Sequence, residues 1–266
     1  MPGWQRSMIM VGEAEVGVVR GGQGSPLLVL HDELGWLGPL RWHERLSESR
    51  TLVMPLQPGY GDTPRIDWIG SHRDVAAFYA RFLREQRLGP IDVVGFSTGG
   101  YIAAEMAAAA PELLRSLTLV APLGVRPSDG EIFDFLAVTV RTQLEALASR
   151  QDGEYGRVLG GDITPERYER LEDARAESAR IGWEPFMFDP SLPHRLAGSG
   201  HLPTLLVWGA EDRVCPRGCI DVYRRALPDA RLAILPGVGH RPDLEASDDF
   251  VATLEAFLGS AVPVPA

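Results

Sequence analysis

Six short apolar runs constrain this chain more than any other feature: residues 27–30 (LLVL), 52–54 (LVM), 91–94 (IDVV), 117–120 (LTLV), 204–207 (TLLV) and 232–235 (LAIL). Each is short for a helix and nearly continuous in its apolar character, the pattern of a strand buried on both faces of a parallel sheet. Parallel strands need crossovers. Helical stretches lie between the runs, at about 71–86 with Val75, Phe78, Tyr79 and Phe82 at helical spacing, and at 98–110, 218–226 and 248–258. Ahead of them, residues 7–20 alternate around a glycine and predict an antiparallel hairpin. Strand and helix in alternation define an open α/β sheet.

The alternation lapses once. Residues 127–201 contain no strand-like run, but they hold helical candidates at 131–149, carrying Ile132, Phe135, Leu136, Val140, Leu144 and Leu147, and at 165–179. Aromatic and sulfur side chains gather behind them at Trp183, Phe186, Met187 and Phe188. A helical insertion between two strands commonly covers the carboxyl edge of the sheet, where open α/β sheets bind ligands. The expected organisation is therefore a core of residues 1–126 and 202–266 with a helical cap at 127–201.

Composition removes several kinds of chemistry. All 26 Lys+Arg residues are arginine, and asparagine is absent as well. Schiff-base formation, pyridoxal phosphate attachment and the lysine of a phosphate-binding loop are thereby unavailable, as is an N-glycosylation sequon. A formal charge of -10 with no arginine-rich run among aromatics argues against nucleic-acid binding. The first fifteen residues lack a long apolar core with a small-residue cleavage site, and no 18-residue apolar run occurs, so a cytoplasmic protein without membrane spans is expected. Cys215 and Cys219 have no histidine close by and read as reduced thiols, neither a zinc site nor a disulfide.

Chemistry concentrates in Ile91-Asp92-Val93-Val94-Gly95-Phe96-Ser97-Thr98-Gly99-Gly100, a buried strand that runs through G-x-S-x-G into an alanine-rich helix. Glycines at 95 and 99 leave room for a sharp turn that lifts the serine hydroxyl to the edge of the sheet. A serine hydroxyl needs a base, and the base needs an acid to orient it. Past the strand at 204–207, Gly209-Ala210-Glu211-Asp212 offers Asp212 as the acid, with Glu211 as its competitor. Past the strand at 232–235, Pro236-Gly237-Val238-Gly239-His240 offers His240 as the base. His31, His43 and His72 precede the serine, and His194 and His201 belong to the insertion or its foot, so all five read as structural or surface residues.

With these pieces in order, the chain resembles the α/β-hydrolase superfamily over nearly its full length, through LLVLHDELG, PLQPGYGDTP, VVGFSTGG, LLVWGAEDRV and PGVGHRPDLE. The resemblance implies an eight-stranded, mostly parallel sheet flanked by helices, a helical cap after the sixth strand, and Ser97, Asp212 and His240 as catalytic triad. It implies an oxyanion hole made of the Thr98 N–H and the Glu33 N–H. Family members usually have His-Gly before that second donor, whereas here Asp32 follows His31 and brings a carboxylate close to the developing charge unless it points away. Trp36, Tyr60, Phe96, Trp183 and Phe186 are candidate pocket walls, with core packing as the alternative.

The activity so implied is hydrolysis of small to medium apolar esters, a small-molecule reaction through an acyl-enzyme on Ser97 that requires no cofactor or metal. Serine at the elbow disfavours the branches with an aspartate nucleophile. Carbon–carbon bond hydrolysis of ring-cleavage diketones is the alternative, because DPSLPHRLAGSGHLPTLLVWGAEDRV resembles the joint between cap and core in that group. Those enzymes tend to carry tryptophan after the histidine, where this chain has Arg241. Lactonase, thioesterase or perhydrolase activity would use the same triad, and a non-catalytic ligand receptor on this fold would keep it for binding. Without lysine, a substrate carboxylate would be met by arginine or protonated histidine, which makes Arg213 and Arg241 the cations to examine.

Overall fold

A computed structural model describes residues 3–260; residues 1–2 and 261–266, assigned to the core from sequence, lie outside it. The hairpin forms from β1 (Gln5–Val11) and β2 (Ala14–Gly22). The six apolar runs become β3 (Ser25–Leu30), β4 (Arg50–Pro55), β5 (Ile91–Phe96), β6 (Leu114–Val120), β7 (Thr204–Gly209) and β8 (Arg231–Leu235). They join the hairpin in one 8-stranded sheet of order β1-β2-β4-β3-β5-β6-β7-β8, parallel from β4 to β8.

Helices cover both faces. The first, α1 (Arg41–Leu46), follows β3, and α2 (His72–Glu85) follows β4. Ser97 follows β5 directly, and α3 (Thr98–Ala109) begins on the next residue. Between β6 and β7 come α4 (Val140–Ala146), α5 (Gly153–Leu159), α6 (Pro165–Gly182) and α7 (Leu192–Leu196). The chain then forms α8 (Gly218–Ala226), and after β8 the short α9 (Pro242–Glu245) and α10 (Ser247–Ser260). One apolar layer joins Phe78, Phe82, Ile102 and Tyr223 to the sheet, and the other joins Trp42, Leu46, Phe250 and Leu254 to its opposite face. Among the described residues no helix is long and apolar enough to cross a membrane.

One expected helix is largely absent. Residues 131–149 are helical only over Val140–Ala146. Asp134 accepts hydrogen bonds from the N–H groups of Leu136 and Ala137 and turns the chain, and Thr139 then caps the shorter helix by accepting from Thr142 N–H. Phe135 is nonetheless fully buried, so the apolar spacing reflects packing by an irregular segment. The insertion is tied to the core through Arg195 on α7, which donates to both carboxylate oxygens of the buried Glu105 on α3 at 2.6 Å each.

The sheet order sets the location of a site. From β3 the chain passes to β4 on one side, while β5 lies on the other, so the loops after β3 and β5 diverge at a topological switch point. Crevices at such points are the usual ligand sites of open α/β sheets.

Candidate active site

Ser97 occupies the sharp turn between β5 and α3 with φ 50 and ψ -113, a conformation that costs a non-glycine residue about 1–3 kcal/mol. Neighbouring bonds hold it: its N–H donates to Val120 O at 3.0 Å, and its carbonyl accepts from Tyr101 and Leu123. A β-carbon at Gly99 would collide with the carbonyls of Leu30 and His31, so glycine lets the elbow pack directly against the end of β3. Thr98 opens α3, where a helix leaves its first N–H groups without intrahelical acceptors.

The candidate acid and base meet by a similar close approach. Gly209 at the end of β7 packs against the carbonyls of Val238 and Gly239, with no room for a side chain. Asp212 accepts from the N–H groups of Val214 and Cys215 through Oδ1, which leaves Oδ2 to bond His240 Nδ1 at 2.8 Å. Glu211, the competing acid, is exposed. Burial by itself pushes the His240 imidazole down, but the Asp212 charge and hydrogen bond raise it above its ordinary value. Ser97 and His240 are each 1% exposed, and Ser97 Oγ and His240 Nε2 have no hydrogen-bond partner.

The loop after β3 departs most from expectation. Asp32 turns away from the elbow: Oδ1 accepts from Leu34 N–H at 3.0 Å, and Oδ2 pairs with Arg241, which also grips Asp243 through Nε and Nη2 at 2.8 Å each. The Glu33 side chain does the opposite. It is fully buried, neither of its carboxyl oxygens has a hydrogen-bond partner, and the Ser97 hydroxyl and its own backbone N–H are close enough to influence it. Burial and the Asp32 charge raise the Glu33 carboxyl, and His240 and the two facing donors only partly oppose them.

Most other candidates have identifiable surroundings. Trp36 and Tyr60 line a cavity of ≈ 630 Å³ between α6 and the core loops, together with Leu34, Arg170, Leu171 and Ala174. Phe96 lines a smaller cleft beside it, with Trp42 and Met54. Phe186 packs on Phe135, whereas Trp183 is 64% exposed and lines neither space. Of the other histidines, His31 accepts from Gln57 N–H, His43 from Leu40 N–H, and His72 stacks on Tyr101; His194 and His201 are exposed. Arg213 is engaged by the carbonyls of Glu145 and Ala148. The Arg241–Asp32 pair was missed from sequence, although Asp32 stands where family members usually have glycine and Arg241 stands where the ring-cleavage group tends to have tryptophan, and the two together were the available signal.

These features coincide with family membership: the model of the alpha/beta hydrolase family matches residues 27–253, and the chain belongs to that family. It is a hydrolase. A pimeloyl-[acyl-carrier protein] methyl ester esterase of Chromobacterium violaceum is 30% identical over 89% of this chain and 95% of its own length. The dihydrolipoyllysine-residue acetyltransferase component of the acetoin cleaving system of Cupriavidus necator is 29% identical over 90% of this chain, which spans 65% of that relative's length. A solved membrane phospholipase A superposes with TM-score 0.78 at 25% identity, covering 97% of this chain and 87% of the phospholipase. The 2-hydroxy-6-oxo-6-phenylhexa-2,4-dienoate hydrolase of a Rhodococcus species superposes with TM-score 0.79 over 98% of this chain and 100% of its own, at 18% identity, a likeness of fold.

Proposed function

We propose that this hydrolase is a serine carboxylesterase acting on small to medium apolar esters through an acyl-enzyme on Ser97. The observation that carries the reading is the combination of a strained Ser97 elbow with a buried His240 already oriented by Asp212, Ser97 Oγ and His240 Nε2 both being left without a hydrogen-bond partner. His240 Nε2 takes the Ser97 proton as Oγ attacks the ester carbonyl, and the Asp212 carboxylate stabilises the imidazolium that forms. The Thr98 and Glu33 N–H groups hold the oxyanion, His240 returns the proton to the departing alcohol, and water activated by the same base releases the acid. Residues 127–201 act as the cap, and the cavity under α6 lies beside the loop that carries Glu33, with Leu34 and Tyr60 in its wall.

An ester is favoured over a ring-cleavage dienoate because the two arginines beside acid and base are engaged: Arg241 with Asp32 and Asp243, Arg213 with backbone carbonyls. Carbon–carbon hydrolysis would need another cation for the substrate carboxylate. Arg170 on α6, which lines the cavity, is a cation in reach of that space. Comparison of kcat/KM for p-nitrophenyl esters of increasing acyl length with that for a ring-cleavage diketone separates the readings. The esterase reading expects the short and medium esters to be preferred, and preference for the diketone overturns it.

A further inference from the structure

Glu33 stands out among the buried groups because none of the described residues pairs with it. Both carboxyl oxygens lack a hydrogen-bond partner, and the side chain is 0% exposed. The nearby cation, Arg241, is occupied by Asp32 and Asp243. An ionised carboxylate buried without a partner costs several kcal/mol, and such a group normally takes up a proton instead. Its position is specific as well. It lies close to the Ser97 hydroxyl and to its own N–H, one of the two proposed oxyanion donors, and so borders the place that the carbonyl oxygen of an attacked ester has to occupy. A carboxylate there repels the charge that develops, whereas an uncharged acid donates to it.

We propose that the Glu33 side chain is a catalytic residue, an uncharged carboxylic acid that donates a hydrogen bond to the oxyanion alongside the N–H groups of Thr98 and Glu33. The proposal rests on the esterase reading. It involves no proton transfer: Glu33 keeps its proton while the oxyanion forms and collapses, and the Ser97 proton travels only by His240. The groups that face or influence Glu33 are Asp32 on its own loop, His240 and Arg241 after β8, Tyr60 after β4 and Cys215 after β7. Burial raises the Tyr60 phenol and the Cys215 thiol, so both stay protonated where Glu33 titrates.

The test is the pH profile of kcat for p-nitrophenyl butyrate between about pH 5 and 10, with brief exposure at each pH. An oxyanion hole made only of backbone N–H groups gives a rise through the His240 titration and then a plateau. A neutral Glu33 gives a second, alkaline limb on which kcat falls as the acid ionises. Glu33→Gln keeps an uncharged donor, so it should remove the alkaline limb and lower the maximum by less than about tenfold. Glu33→Leu removes the donor and should lower kcat by about 10²–10³-fold, the usual effect of losing one oxyanion donor. A wild-type plateau to pH 10, an alkaline limb retained in Glu33→Gln, or equal losses in Gln and Leu variants would each overturn the proposal. The wild-type profile decides the matter even if a variant fails to fold. Absence of ester hydrolysis by the wild type at every pH is the separate failure of the esterase reading.

Discussion

The Arg241 guanidinium donates to the Asp32 carboxylate across 209 residues of sequence, joining the residue after the proposed base to the residue before the proposed oxyanion donor. Both partners are nearly inaccessible, at 5% and 3% side-chain exposure, and Arg241 also grips Asp243 at the start of α9. A carboxylate that would harm the oxyanion if it faced Ser97 is thereby turned into a strut between two loops of the site.

Removing Arg241 leaves two buried carboxylates without a cation, which is costly, whereas removing both ends of the pair is less so. Arg241→Gln is expected to lower unfolding free energy by about 3–5 kcal/mol. Adding Asp32→Asn should recover part of that loss, so urea unfolding of the double variant should show less than the sum of the single effects. Additive losses would mean that the two side chains are energetically independent.

His240 gains a charged partner on folding, so its imidazolium is favoured above the ordinary value of 6.5. The base must be neutral to accept the Ser97 proton, and kcat/KM should therefore fall as pH drops through a midpoint above 6.5. Asp212→Asn removes the charge that raises the imidazole. The acidic limb should move to lower pH while kcat falls by roughly 10⁴-fold, and a limb that stays in place would detach His240 from the profile.

Glu33 also predicts a pH-dependent stability difference that needs no substrate. Its carboxyl is raised in the folded protein, so the folded state keeps a proton that the unfolded chain releases above its own value near 4.5. Stability from this group is complete below that value and declines as pH rises toward the folded value. Glu33→Gln does not titrate. Its Tm relative to the parent should therefore climb between pH 5 and the folded Glu33 value and level off beyond it; a pH-independent difference would show that Glu33 titrates normally.

Glu177 on α6 offers a test of the tie between insertion and core. Its carboxylate is 1% exposed and accepts from Arg180 on the same helix and from Arg65 in the loop after β4, while Tyr60 Oη contacts Ser178 at 2.8 Å. Replacing Glu177 with Ala removes charge-assisted bonds from a buried position and should destabilise the protein by about 1–3 kcal/mol. Hydrogen exchange should then rise first in α6, and uniform exchange across the core strands would argue against a local tie.

Much of the fold was legible in the sequence because the dominant signal is local. Val93, Val94, Leu117 and Leu206 sit in short, nearly continuous apolar runs, the pattern of a doubly covered strand. Gly95 and Gly99 around Ser97 mark a turn whose sterics leave few alternatives. The segment around Phe135 was not legible: helical apolar spacing and burial of an irregular chain look alike until the Asp134 side chain is seen to turn the backbone. The Asp32–Arg241 pair was hidden by sequence distance. The Glu33 side chain was hidden by direction, since the oxyanion reading concerned its N–H and said nothing of where the carboxyl goes.

The central claim is that Ser97 is the nucleophile, and labelling with a fluorophosphonate followed by intact mass and peptide mapping addresses it most directly. The account predicts one adduct per chain, on Ser97, and none on a Ser97→Ala variant that stays folded. An adduct elsewhere, labelling that persists in Ser97→Ala, or a folded wild type that takes no label would contradict it.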